Sequence, residues 1–236
     1  MKDLGVIMSD SAKFENNIDK CVKKGNQYTG WILRSFRTRT SREMMTLFRT
    51  MVLPHLECCC QLWSPVDKGQ ILQIEAIQRR FTSKLSGLET FDYWKRLEIL
   101  NLYSLERRRE RYLIIYVYKI INGIVPNLVN PRFKIRVLHR DRRGRSCIIP
   151  PVNNRALASV KSLVEMSFPV QAPRLFNSLP VKLRNFNGST DSFKNLLDNF
   201  LKNIPDKPCL PNYHQTASSN SIPDQLDALR SAGIFY

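Results

Sequence analysis

The stretch that most constrains this chain is Met44–Pro65, MMTLFRTMVLPHLECCCQLWSP, a long apolar run interrupted by polar residues at set places. Met44, Met45, Phe48, Met51 and Val52 recur at helical spacing and predict a helix with one buried face. It should run up to Pro54, whose ring has no place in a helix interior. The following residues are apolar enough to be buried and would take His55 and Glu57 with them, before Ser64-Pro65 signals a turn.

The flanking segments carry matching helical patterns. From Ser9 to about Arg37 one helix is expected, capped by Ser9 or Asp10, with a core stripe of Phe14, Ile18, Cys21, Val22, Tyr28, Ile32 and Phe36. Lys13, Lys20, Lys23, Lys24, Arg34 and Arg37 stay outside that stripe. Gly25 and Gly30 each weaken the helix by roughly 1 kcal/mol relative to Ala, so a kink is expected there. Ser41 should cap the Met-rich helix. A further helix from about Asp67 to Leu85 would turn Ile71, Ile74, Ile77 or Gln78, Phe81 and Leu85 inward. Arg79, Arg80 and Lys84 cluster at its C-terminal end, where cations complement the helix dipole with or without a ligand. Thr90 or Asp92 starts a short helix through Leu100, and Ser104 caps a longer one that ends at Gly123. The first turns of that helix hold Arg107, Arg108, Arg109 and Arg111. Cations oppose the dipole at a helix N-terminus, and an anionic partner such as phosphate would offset the cost.

Val125-Pro126 and Asn130-Pro131 mark a boundary. Beyond it, Phe133–Val137 and Cys147–Ile149 predict strands or extended arms. The run between them, with Arg140, Arg142, Arg143 and Arg145 around Gly144, reads as a phosphate-contacting loop, a nuclear-localisation patch or an unstructured stretch. Ser167–Pro180, with three prolines around Leu175-Phe176, is expected to be irregular and docked by its aromatics. Asp191 then caps an amphipathic helix with Phe193, Leu196, Leu197, Phe200 and Leu201 on its buried face. Residues 205–223 have the composition of a flexible tail, and a last short helix is expected from Pro223 to Leu229.

Composition enters where partners are concerned. A hydrophobic fraction of 43% with 12 Phe, 8 Tyr and 3 Trp is that of a folded chain. The net charge is +17, and it is uneven: Met1–Pro150 holds 28 Lys and Arg against 14 Asp and Glu, the remainder 9 against 6. Such a field attracts polyanions, nucleic acid first among them, although a basic surface kept for solubility would give the same total. Six cysteines, three of them consecutive, form no spaced framework and read as reduced, buried thiols of an intracellular protein. The first residues lack the apolar core of a signal peptide, and no apolar run reaches membrane-spanning length, so no membrane partner is expected.

Six motifs, in order, carry a resemblance: Lys2-Asp3-Leu4-Gly5-Val6; Phe14, Ile18 and Lys20 with the Lys23-Lys24-Gly25-Asn26 run; Leu53-Pro54-His55-Leu56-Glu57-Cys58 followed by Trp63-Ser64-Pro65; Ile74 to Thr82, IEAIQRRFT; Leu105 to Arg109, LERRR; and Arg174 to Pro180, RLFNSLP. Together they are similar to the region after the palm in reverse transcriptases of non-LTR retrotransposons (LINEs) of the jockey and chicken-repeat kind. The resemblance implies a primer-grip remnant over residues 1–8, a helical thumb over 9–125, a C-terminal extension over 126–204 and a flexible tail over 205–236. The expected fold is therefore mainly α: a helical thumb-like bundle followed by a smaller mixed α+β or irregular extension. It also implies RNA, an RNA–DNA hybrid or DNA as partners, with a full-length polymerase in trans as a further candidate, in the nucleus, the cytoplasm or both.

The chemistry is argued by what is missing. Such polymerases clamp two metal ions with aspartates, including an adjacent pair, and this chain has no Asp-Asp pair. The resemblance places those aspartates upstream of Lys2, so the chain is expected to be a C-terminal fragment without catalytic residues or cofactor. Cys209 with His214, or His55 with Cys58 and Cys59, lack the two close pairs of a zinc site. No cysteine has a histidine and acid around it in sequence that would suit a nucleophile. The expected binding residues are Arg79, Arg80, Lys84, Arg107, Arg108, Arg109, Arg111, Arg140, Arg142, Arg143 and Arg145. The alternative is a domesticated or decayed helical module that binds a protein partner.

Overall fold

The structure is a computed structural model, and it describes residues 2–3, 5–8, 14–65, 67–125, 136–140, 146–149, 164–165, 167–211 and 219–234, with backbone alone for residues 2, 136–140 and 146–149. It is mainly helical, with two antiparallel two-stranded hairpins. The chain divides into two compact units: Met1–Arg109 with Asp206–Gln215, and Glu110–Pro205 with Thr216–Tyr236.

The first unit opens with β1 (Lys2–Asp3) paired to β2 (Val6–Ile7), Lys2 opposite Ile7. Gly5 makes the turn at φ +85°, a region costly for a residue with a Cβ. The hairpin is tied to helix α1 (Glu15–Ser35), because Ile7 N–H donates to Asn17 Oδ1 at 3.1 Å and Lys20 Nζ to the Gly5 carbonyl. The proposed caps Ser9 and Asp10 lie outside the described residues. Ile18, Cys21 and Ile32 are buried as the pattern requires, but Phe36 is 41% exposed because the helix has ended before it. Gly25 breaks nothing; α1 runs through it. A Cβ there would lie 2.8 Å from Ile77 Cδ1 and 3.0 Å from Leu56 Cδ2, so this glycine allows a close helix crossing.

Nor does the Met-rich helix stop at Pro54. Helix α2 (Ser41–Leu47) passes into a π-helical turn, Phe48–Val52, and then into α3 (Leu53–Glu57), where Pro54 occupies the first turn. The wide turn re-starts the hydrogen-bond ladder, so the missing proline N–H falls where no helical donor is needed. Thr40, not Ser41, is the residue before the helix, and its side chain makes no capping bond. Phe48 stacks on Phe81 with centroids 4.8 Å apart, inside a core that also holds Met44, Val52 and Leu56.

Cys59 adopts a left-handed conformation, φ 55°, and turns the chain into α4 (Cys60–Trp63). Trp63 is buried and donates its Nε1–H to the Cys58 carbonyl at 2.7 Å. The turn separates the three cysteines: Cys58 is exposed, Cys59 half-buried and only Cys60 buried, which corrects the expectation of uniformly buried thiols. Helix α5 (Lys68–Thr82) is capped by Asp67, and α6 (Tyr93–Ile99) by Asp92. Ser104 caps α7 (Leu105–Ile121), accepting from Arg107 N–H at 3.1 Å.

In the second unit β3 (Arg136–Arg140) pairs with β4 (Ser146–Ile149) as an antiparallel hairpin; β4 falls on the expected extended segment, whereas β3 runs past Val137 through His139 and Arg140, residues expected in the basic loop. The stretch expected to be irregular is instead helix α8 (Phe168–Ser178), with Pro169 in its first turn and Pro173 inside. Burial of Val170, Ala172, Leu175 and Phe176 along one face outweighs the bond lost at Pro173. A short α9 (Val181–Arg184) and α10 (Thr190–Leu201) follow, the latter capped by Ser189 rather than Asp191. Phe193 lies flat on Tyr118, centroids 3.9 Å apart and planes 5° from parallel, and the Tyr118 hydroxyl donates to the Gly188 carbonyl at 2.6 Å. Helix α11 (Ile222–Ser231) buries Ile222 and Leu226 and receives a cap from Glu110, which accepts the Ile222 N–H at 3.0 Å.

The expected flexible tail is docked over part of its length. Asp206 accepts hydrogen bonds from Ser104 N–H and Oγ, both at 2.7 Å, and Trp94 Nε1 donates to the Pro208 carbonyl at 3.0 Å.

Candidate nucleic-acid interface

A basic surface of the first unit forms where two helices meet. Helix α1 crosses α5 at Gly25, and Arg80 Nη2 donates to Asn26 Oδ1 at 2.9 Å, bringing the C-terminal end of α5 beside the exposed side of α1. One turn on, Ser86 N–H donates to the Arg39 carbonyl at 2.9 Å, and this fastens the connector after α1 to the same end. Arg80 and Lys84 are exposed and Arg79 is half-buried. On the α1 side, Lys23, Lys24, Arg34 and Arg37 are exposed as well. From Lys20 to Arg42 the sequence contains no Asp or Glu, so nothing within that segment neutralises its cations.

Hydrophobic spacing does not single out these α1 residues as binding candidates; it shows only that they lie off the core stripe. The readable signal is a run of cations without a single carboxylate, together with a tryptophan at an outward position. Trp31 is 48% exposed among them.

The α7 arginines occupy a different setting. Arg107 is fully buried and Arg109 is 2% exposed, so neither presents its guanidinium at the surface. Arg108 forms a two-pronged ion pair with Glu57, and Arg111 a second with Asp198 at 2.5 and 2.8 Å. The cost of cations at this helix start is offset from within the chain: Glu75 Oε2 accepts the Leu105 N–H at 2.9 Å and Asp206 accepts from Ser104. Arg108 and Arg111 are therefore held by separate internal carboxylates while Arg107 and Arg109 are buried, and the four are not gathered on one exposed face. Arg140 ends strand β3, with its side chain outside the described residues, as are Arg142, Arg143 and Arg145.

Behind this helix start lies a buried polar group. Glu75 accepts from the Tyr93 hydroxyl as well as from Leu105, and Gln78 Nε2 donates to Tyr93 Oη at 3.1 Å and to the Tyr103 carbonyl at 3.0 Å. Burial raises the Glu75 carboxyl to about 7, with the Tyr93 hydrogen bond and the nearby Arg109 charge pulling the other way.

No metal-binding cluster of three or more His, Cys, Asp or Glu occurs among the described residues. His55 stacks on Tyr28 with centroids 4.6 Å apart, and burial lowers its pKa. Burial pushes the Cys60 thiol up to about 12, far from a ready ligand or nucleophile. His214 lies outside the described residues. No helix among those described is long and apolar enough to cross a membrane. No family model, curated protein or solved structure matches the chain.

Proposed function

We propose that this chain is the thumb and post-thumb part of a non-LTR retrotransposon reverse transcriptase, and that it holds RNA or an RNA–DNA hybrid by phosphate contacts. It has no Asp-Asp pair of its own to carry a polymerase centre. The observation that carries the reading is the basic surface where the end of α5, with Arg80 and Lys84 exposed, meets the carboxylate-free segment Lys20–Arg42. The Lys2–Ile7 hairpin, at the position where the resemblance implies a primer grip, supports it further. Phosphate binding of this kind releases counterions and depends little on sequence.

The test is binding of the purified chain to a labelled RNA–DNA hybrid at two salt concentrations. Affinity should fall steeply with salt. Arg80→Glu with Lys84→Glu should weaken binding at least tenfold and flatten the salt dependence by about one unit of log–log slope for each phosphate no longer neutralised. A correctly folded chain that binds neither the hybrid nor single-stranded RNA at low salt would leave the protein-interaction reading in its place.

A further inference from the structure

Helix α1 turns an aromatic ring outward where the charge pattern alone would place another polar residue. Trp31 is 48% exposed although its neighbour Ile32, about 100° around the helix, is buried, as are Ile18 and Cys21. Trp31, Gln27 and Lys24 follow one another at helical spacing along the exposed face, and Lys23 and Arg34 flank them within one turn. Gly30 has a part in this. Arg34 Nη1 lies 3.2 Å from where a Gly30 Cβ would be, so the guanidinium folds back over bare helix backbone rather than extending away. Asn26, which bonds to Arg80, lies about 140° around the helix from Trp31. The result is an exposed indole bordered by cations, with no carboxylate between Lys20 and Arg42.

A protein partner that covered the indole with an apolar side chain would have to bury these ammonium and guanidinium groups or bring carboxylates to them. Duplex nucleic acid satisfies the cations but leaves the ring idle, because paired and stacked bases offer it no free face. A single strand answers to both: its phosphates meet the cations, and an unpaired base can lie on the indole.

We propose that the Trp31 face of α1 binds single-stranded nucleic acid, with an unpaired base stacked on the indole and the neighbouring phosphates held by Lys23, Lys24 and Arg34. The proposal rests on the polyanion-binding role above and assigns to it a second, strand-type-specific interaction.

Oligouridylate, which stacks little on itself, is the probe, and a blunt RNA–DNA hybrid is the control. Oligouridylate should quench the emission of Trp31, because Trp63 is buried and Trp94 is engaged with the Pro208 carbonyl. Trp31→Ala should weaken oligouridylate binding about tenfold and leave hybrid affinity unchanged. Trp31→Phe, which keeps a stacking face, should restore most of the loss. Unchanged oligouridylate affinity in Trp31→Ala overturns the proposal, as does equal weakening for single strand and hybrid. If the wild-type chain binds hybrid but not oligouridylate, this inference fails while the proposed function stands; if it binds neither, both fail.

Discussion

At the residue scale the most consequential side chain is Glu75, a carboxyl with no access to water that holds the start of α7 through the Leu105 N–H and engages Tyr93. Burial pushes its pKa from 4.5 up to about 7. Between those values the folded chain keeps a proton that the unfolded chain has lost. Stability should therefore decline as pH rises from about 4.5 to 7, by on the order of 3 kcal/mol from this group. Denaturant midpoints measured across that range should fall in the wild type and stay nearly level in Glu75→Gln, which cannot ionise. The same slope in both proteins would show that Glu75 is not the titrating group. His55 and Glu57 illustrate how the surroundings choose a role: one stacks on a tyrosine, the other is paired by an arginine about fifty residues away in sequence.

At the element scale the two glycines of α1 separate local propensity from packing. Both cost helix stability in isolation. A methyl at Gly25 would press on Ile77 and Leu56 in the core, where overpacking costs about 1–3 kcal/mol and exceeds the propensity gain. At Gly30 the close atoms among the described residues belong to the exposed Arg34 guanidinium, which can swing away. Gly25→Ala should lower the thermal midpoint, and Gly30→Ala should raise it by an amount equivalent to about 0.5–1 kcal/mol. Shifts of the same sign in thermal melts would contradict the α1–α5 crossing. The π-turn at Phe48–Val52 belongs to this scale too, since it lets the ladder continue past Pro54 while keeping Phe48 and Val52 in the core.

At the scale of the whole molecule the chain doubles back: Asp206–Gln215 belongs with Met1–Arg109 although about a hundred residues intervene. Asp206 satisfies both donors of Ser104, and the Pro208 carbonyl takes the Trp94 indole N–H. Asp206→Ala should cost about 1–2 kcal/mol and shift the Trp94 emission to the red as the segment loosens; an unchanged midpoint and spectrum would show that it contributes nothing to the first unit. Much was legible in the amino-acid sequence. Hydrophobic spacing located α1, α5, α6, α7 and α10, and Asp92 and Ser104 announced their helices, because a 3.6-residue period and a side-chain acceptor act locally. The preference for helix termination at prolines was legible as well, yet it misplaced the end of the Met-rich helix and missed α8. There the deciding quantity was apolar area buried against distant segments, which no local window contains. The α7 arginines mark the same limit. The sequence determined that four cations would crowd the start of a helix; only the tertiary structure decided that Glu57 and Asp198 would pair with Arg108 and Arg111 and that Arg107 and Arg109 would be buried, because charge neutralisation depends on distance in space and not along the chain.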